Sequence, residues 1–279
     1  MTGTGVKPIM TKTNDLLRML KETSRTFFIP IVRLPGILQE TIGAAYLCMR
    51  AIDEIEDHPS LDNNSKAFLL HRLSWAMQAQ LGKDDMAKTS LESVFGAYQR
   101  VLPEVTLRLS DWLVKVPTQI APRVWDTTIA MADRMAFWVE KNWEILTEAD
   151  LDSYTFSVAG SVGLLICDIW AWFDGSQIDR EAAIRFGRGL QSVNILRNRE
   201  EDVARGVDFY PQGWSDADMF AYAHRHIEQA KTAILSVPSS SFRIMVDIPL
   251  ALAEATLGVL EQGRSKLTRS EVLKIVGSV

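Results

Sequence analysis

Two segments concentrate oxygen-bearing side chains at helical spacing. ETIGAAYLCMRAIDEIEDHP places Asp53 and Asp57 four residues apart, with Glu54 and Glu56 beside them and Arg50 one turn before Asp53. NILRNREED places Asn194, Asn198 and Asp202 at the same interval, with Arg197 among them and Glu201 adjacent. On a helix such residues share a face, so each segment lines up carboxylate or amide oxygens. Taken alone, either segment also suits a solvated helix surface. Like charges one turn apart disfavour an isolated helix by roughly a few tenths of a kcal/mol. Two such rows, the first set among Tyr46, Cys48, Met49 and Ile52, therefore point to a shared counter-ion. Mg²⁺ fits, because it binds through one or two carboxylates and keeps its other positions for water and phosphate oxygens. The neighbouring arginines suit the phosphate itself.

The elements that must hold these rows read as helices. Apolar residues recur at intervals of three and four in LLRMLKETSRTFF, SLESVFGAYQRVL and DWLVKV, which predicts an almost entirely helical chain. Helix limits are expected at Pro30 and Pro35, at HPSLDNN after Asp57, at Pro103 and Pro117, at Asp174-Gly175 and at Pro211-Gln212-Gly213. No linker or repeat divides the sequence, so a single helical domain is expected over residues 11–279, after a loose leader at 1–10. Gly160 and Gly163, and Gly187 and Gly189, interrupt good helix patterns. Each mid-helix glycine costs roughly 1 kcal/mol against alanine, so close helix packing or room for a ligand is the expected compensation. The apolar run from Ser157 to Phe173 contains Asp168 and is shorter than a bilayer span of ~20 residues, and reads as a buried helix. The tryptophans, including Trp138, Trp143, Trp170 and Trp172, read as core filling. His58, His71, His224 and His226 show no metal pairing on an acid-bearing helix and read as surface or loop residues.

Composition narrows the function. With 279 residues, 47% hydrophobic and 23% charged, the chain has ordinary globular chemistry. Its formal charge of -5 offers no general attraction to a phosphate backbone, which argues against a nucleic-acid partner. Cys48 and Cys167 have neither the number nor the spacing of a zinc site or disulfide framework, and read as buried thiols. MTGTGVKPIM lacks the charged start and apolar core of an export signal, so a cytoplasmic location is expected, with no integral membrane segment.

LPGILQETIGAAYLCMRAIDEIED, YTFSVAGSVG and QSVNILRNREEDVARGVDFYP together resemble the squalene and phytoene synthase family of head-to-head trans-isoprenyl diphosphate enzymes, in order and spacing over roughly residues 20 to 215. The resemblance implies an all-α isoprenoid (terpenoid) synthase fold, one helical domain around a central apolar cavity, with two acid-bearing helices at its mouth. It implies Mg²⁺ as cofactor and a small-molecule prenyl diphosphate as substrate. Asp53 and Asp57 match the first metal motif, with Arg50 as a diphosphate ligand. Thr23, Ser24 and Arg25 fall where relatives read HSKSF and touch diphosphate, Thr23 replacing the histidine. Tyr154 matches the tyrosine ahead of the VAG segment, and Gln191, Asn194 and Arg197 match polar positions ahead of the second motif. That motif supplies Asn198, Glu201 and Asp202, followed by Arg205. An apolar product would allow transient contact with a membrane surface.

Two departures shape the expected reaction. Relatives read RDxxED where this chain reads RNREED, so Asn198 replaces an aspartate, and Val207 stands where RGRxYxP carries its second arginine. A neutral amide binds Mg²⁺ less tightly than a carboxylate. The expectation is an enzyme that ionises farnesyl diphosphate and lets water capture the cation, a phosphatase releasing diphosphate and farnesol. The alternative is a head-to-head squalene or dehydrosqualene type synthase, and a third reading is a non-catalytic helical partner protein. Substrate length and nicotinamide dependence are not legible.

Overall fold

A computed structural model describes residues 12–24, 26–79 and 88–279. The leader expected at 1–10 and the expected diphosphate contact Arg25 lie outside the described residues. Among the described residues there is no strand. The α-helices are α1 (Lys12–Thr23), α2 (Phe28–Val32), α3 (Gly36–Glu56), α4 (Asn63–Gln78), α5 (Lys88–Phe95), α6 (Glu104–Leu107) and α7 (Leu109–Leu113). They continue with α8 (Ala121–Glu140), α9 (Glu148–Thr155), α10 (Ser161–Asp174), α11 (Arg180–Ala204), α12 (Asp216–Leu235), α13 (Ser240–Glu261) and α14 (Arg269–Ser278). The all-α expectation holds.

The starts and stops follow local chemistry. Thr147 with Asp150, Ser215 with Asp218 and Thr268 with Glu271 form capping boxes that open α9, α12 and α14, and the Asp179 side chain accepts the Ala182 amide to open α11. Gly175 ends α10 at φ 77°, a conformation open to glycine without a Cβ penalty. Pro30 departs from expectation, since it lies inside α2 rather than at its limit. Its ring occupies the first turn, where a backbone N–H has no intrahelical partner to lose.

One buried apolar cluster runs through the chain from Leu16 to Val246, and α3 is embedded in it through Leu38, Ile42, Leu47, Ile52 and Ile55. Trp112, Trp138 and Trp170 are fully buried, in line with core filling, and both cysteines are buried and free. One histidine contradicts the surface or loop reading. His58 is buried with Nε2 at 3.0 Å from the Val101 carbonyl oxygen, and His226 is buried on the inner face of α12 beside Tyr222. His58 lies in the loop after α3, within the loop part of the reading, whereas His226 lies on a helix face that apolar neighbours turn inward, and periodicity carries that burial to a histidine as readily as to a leucine.

Helices α9 and α10 join through a π-turn, Phe156–Gly160, into a continuous helix over Glu148–Asp174. It is long and apolar enough to cross a bilayer by length and composition, yet 39% of its most apolar window is buried. The expectation of a buried helix is thus met in part, because Val158, Ala159, Val162, Gly163 and Ile166 line a cavity. The helix also packs along α11 in a close seam. A Cβ on Gly163 would sit 2.4 Å from the Ala183 carbonyl oxygen, and one on Gly187 would sit 2.5 Å from that of Ala159. Close main-chain packing therefore accounts for these glycines.

Candidate active site

The cavity has a volume of about 1500 Å³. Its walls are apolar, from Phe27, Ile42 and Met49 on one side through Val162, Leu165 and Ile169 to Phe242, Met245 and Pro249. Its polar end gathers the two acid-bearing rows. Arg50, Asp53, Tyr154, Gln191, Asn194, Arg197, Asn198, Glu201, Asp202 and Arg205 line it together with Glu56 and Asp57.

The first row sits on the last turns of α3. Ligand oxygens of Asp53, Glu56 and Asp57 lie within 4.8 Å of one another. Glu56 is buried, with an exposure of 3%, and accepts a short hydrogen bond from Trp143 Nε1. Burial, reinforced by Asp57 and Asp53, pushes its carboxyl well above the usual range. Burial and the Asp57 charge likewise push Asp53 up to about 7, against the pull of Arg50. Arg50 is ion-paired to Asp53 at 2.5 Å and to Glu54 at 2.6 Å. Glu54 is thereby turned to the arginine.

The second row sits near the end of α11. Asn194 Oδ1 accepts from Arg197 Nη2 at 2.5 Å and from Asn198 Nδ2 at 3.2 Å, while Asn198 Oδ1 accepts from Arg197 Nε at 3.0 Å. The rows meet at Arg205, whose guanidinium pairs with Asp57 Oδ1 and with Asp202 Oδ1, each at 2.9 Å. Burial raises the Asp202 carboxyl against the pull of Arg205. Val207 is buried in the apolar core. Arg205, the arginine of the motif that this chain keeps, supplies a cation between the rows.

Deeper in, Tyr154 is buried, stacked on Phe209 at 4.6 Å and edge-on to Trp138 at 5.6 Å. Burial holds its phenol protonated well above the usual range. Ser24 departs from its expected role. It is buried, its Oγ accepts the Phe27 amide at 3.0 Å, and it is not among the cavity-lining residues. A hydroxyl near a helix start satisfies an amide that would otherwise lack a partner, and here that demand turns Ser24 inward. Thr23 Oγ1 is likewise committed, donating to the Met19 carbonyl oxygen at 2.8 Å.

Glu56 is the residue that sequence reasoning undervalued, having placed it only as a neighbour of the Asp53 and Asp57 pair. Its signal was present, since it stands three residues after Asp53 on the same helical face. The donor set fits Mg²⁺. All its atoms are hard oxygens, gathered from carboxylates that repel one another until a cation neutralises them.

A profile of the squalene/phytoene synthase family matches residues 20–276. Squalene synthase from Homo sapiens is 29% identical over 210 residues, covering 71% of this chain and 46% of that protein. Squalene synthase LSS from Botryococcus braunii is 30% identical over 195 residues, covering 67% of this chain and 39% of that protein. The chain thus spans less than half the length of these curated relatives. Among solved structures, TcSQS in complex with the ligand BPH1237 superposes with a TM-score of 0.77 at 20% identity, over 95% of this chain and 85% of that one. A dehydrosqualene synthase with bound ligand gives 0.65 at 16% identity, over 96% and 94%. The isoprenoid-synthase fold, the two facing acidic rows and the profile spanning almost the whole described chain agree, and the chain belongs to the squalene/phytoene synthase family.

Proposed function

We propose that this chain couples two prenyl diphosphates head to head, as a squalene or dehydrosqualene type synthase. The observation that carries the reading is the cavity. At about 1500 Å³ it exceeds the roughly 300–1,000 Å³ that holds one drug-sized ligand, and its walls are largely apolar beside an acidic end. That is room for two prenyl chains whose diphosphates meet at one end. Hydrolysis, the reading that Asn198 and Val207 favoured, draws no support from the relatives named above, which are synthases.

In this reading Asp53, Glu56, Asp57 and Asp202, with Asn198 and Glu201, hold Mg²⁺. When bound, Mg²⁺ neutralises the leaving diphosphate. Arg50, Arg197 and Arg205 orient the diphosphate oxygens, which guanidinium groups match. The apolar walls exclude water from the allylic cation, so the double bond of the second prenyl chain captures it and a proton is lost as the cyclopropane closes. Tyr154 stands at the junction of acidic mouth and apolar wall, placed to hold or pass a proton at its phenol oxygen. Purified protein incubated with farnesyl diphosphate and Mg²⁺, with and without reduced nicotinamide, tests the proposal. A thirty-carbon product or a cyclopropyl diphosphate is expected, and farnesol as the sole organic product would overturn it.

A further inference from the structure

Among the described residues, Asn142 and Trp143 stand apart as consecutive non-glycine residues with left-handed backbone, each at φ 51°. That region is sterically unfavourable for a bulky side chain, and such outliers persist where surrounding contacts over-determine them. Here the contacts can be named. Trp143 N donates to the Trp138 carbonyl oxygen at 2.9 Å as α8 ends, and Asn63 Nδ2 on α4 donates to Asn142 Oδ1 at 2.7 Å. The turn aims the indole into the protein, where Trp143 is buried and its Nε1 donates to Glu56. Lys66, also on α4 and buried, sets its ammonium 5.3 Å from the centre of the indole ring.

We infer that Trp143 is a positioning residue for the metal site: its indole N–H, held by the left-handed turn and by Lys66 against the ring, fixes the Glu56 carboxylate so that Asp53, Glu56 and Asp57 converge on one cation. A buried carboxylate without this donor would be free to rotate toward other partners, and its oxygen would leave the cluster. Donors behind metal ligands orient them, and losing one typically weakens metal affinity on the order of 10- to 100-fold. The strained backbone and the hydrogen bond then have one purpose, since an ordinary helix exit would not direct the indole at Glu56.

The inference rests on reading the acidic mouth as a Mg²⁺ site, and its test needs no prenyl substrate. Trp143→Phe keeps an aromatic ring and removes the N–H. Calorimetric titration of the substrate-free protein with Mg²⁺ should show affinity weakened by roughly tenfold or more. In a Glu56→Gln background the same substitution should change affinity little, because the effect runs through Glu56. Should Trp143→Phe fail to fold, the wild-type protein serves: the indole N–H resonance of Trp143 should shift in step with Mg²⁺ occupancy. Unchanged Mg²⁺ affinity in a folded Trp143→Phe protein, or an indole signal indifferent to saturating Mg²⁺, overturns the positioning role and leaves the metal site standing. A wild-type protein that binds no Mg²⁺ overturns both.

Discussion

Arg205 is the side chain on which the two acidic rows meet, and its removal has calculable consequences. It pairs with Asp57 and Asp202 at 2.9 Å each from a side chain 42% exposed. Ion pairs this exposed contribute about 0.2–1 kcal/mol each once solvent screening is counted, so Arg205→Ala should cost about 0.4–2 kcal/mol in Mg²⁺-free buffer. Mg²⁺ competes for the same oxygens, and the guanidinium repels it. A unit charge and a divalent ion ~6 Å apart repel by about 1.4 kcal/mol at the dielectric constant of water, equivalent to tenfold in affinity. Arg205→Ala should therefore bind Mg²⁺ up to about tenfold more tightly, and Mg²⁺ should recover most of the lost stability. Urea denaturation of both proteins with and without Mg²⁺, alongside calorimetric titration, reads both effects. Equal stabilisation of the two proteins by Mg²⁺ would refute the reasoning, because Arg205 would then not share the metal's oxygens. Turnover should fall in the variant all the same, since the leaving diphosphate loses a guanidinium partner.

Asp57→Ala should abolish most Mg²⁺-dependent release of diphosphate from farnesyl diphosphate while circular dichroism shows the helices intact; wild-type release by the variant would place the metal elsewhere. Asn198→Asp adds a carboxylate one turn before Asp202 and should tighten Mg²⁺ binding several-fold; calorimetry, rate and product all matching the wild type would make Asn198 ordinary helix surface. Burial holds His226 neutral with a pKa lowered from 6.5 to about 4. The unfolded chain thus takes up a proton between those values that the folded protein refuses, so this contribution to stability is present above pH 6.5 and lost as pH falls toward 4. His226→Gln should flatten that part of the urea-midpoint profile, and an unchanged slope would exclude His226 as its source.

Local pattern carried the fold, and long-range pairing hid parts of the site. The spacing of three and four that marks α3 and α11 also placed Asp53, Asp57, Asn198 and Asp202 on shared faces, and the cavity brings those faces together. The bond between Arg205 and Asp57 spans 148 positions of chain, and no local period encodes it. Trp143 was indistinguishable in sequence from the tryptophans that fill the core, because what sets it apart is a backbone angle. Ser24 turns away from the cavity, and Val207 into the core, for a related reason. A motif position says which residue stands there, while the direction of its side chain depends on which neighbour claims it first, the Phe27 amide for Ser24 and the apolar core for Val207.

The glycine seam between α10 and α11 limits how such a catalyst can diverge. Where carbonyl groups of one helix rest against the Cα atoms of the other, the seam itself has no side chain to trim and no room for one. The Asn194 to Asp202 row is carried on the same rigid helix, so any enlargement at Gly163 or Gly187 would displace the acidic mouth as well as narrow the chamber. Adaptation to longer or shorter chains is thereby left to lining side chains away from the seam, among them Val162 and Ile169 on α10 and Ile42, Met49, Phe242 and Met245 on other helices, which can be resized one at a time. The seam is an anchor and the rest of the lining a dial, an asymmetry that lets substrate range drift while the chemistry stays registered.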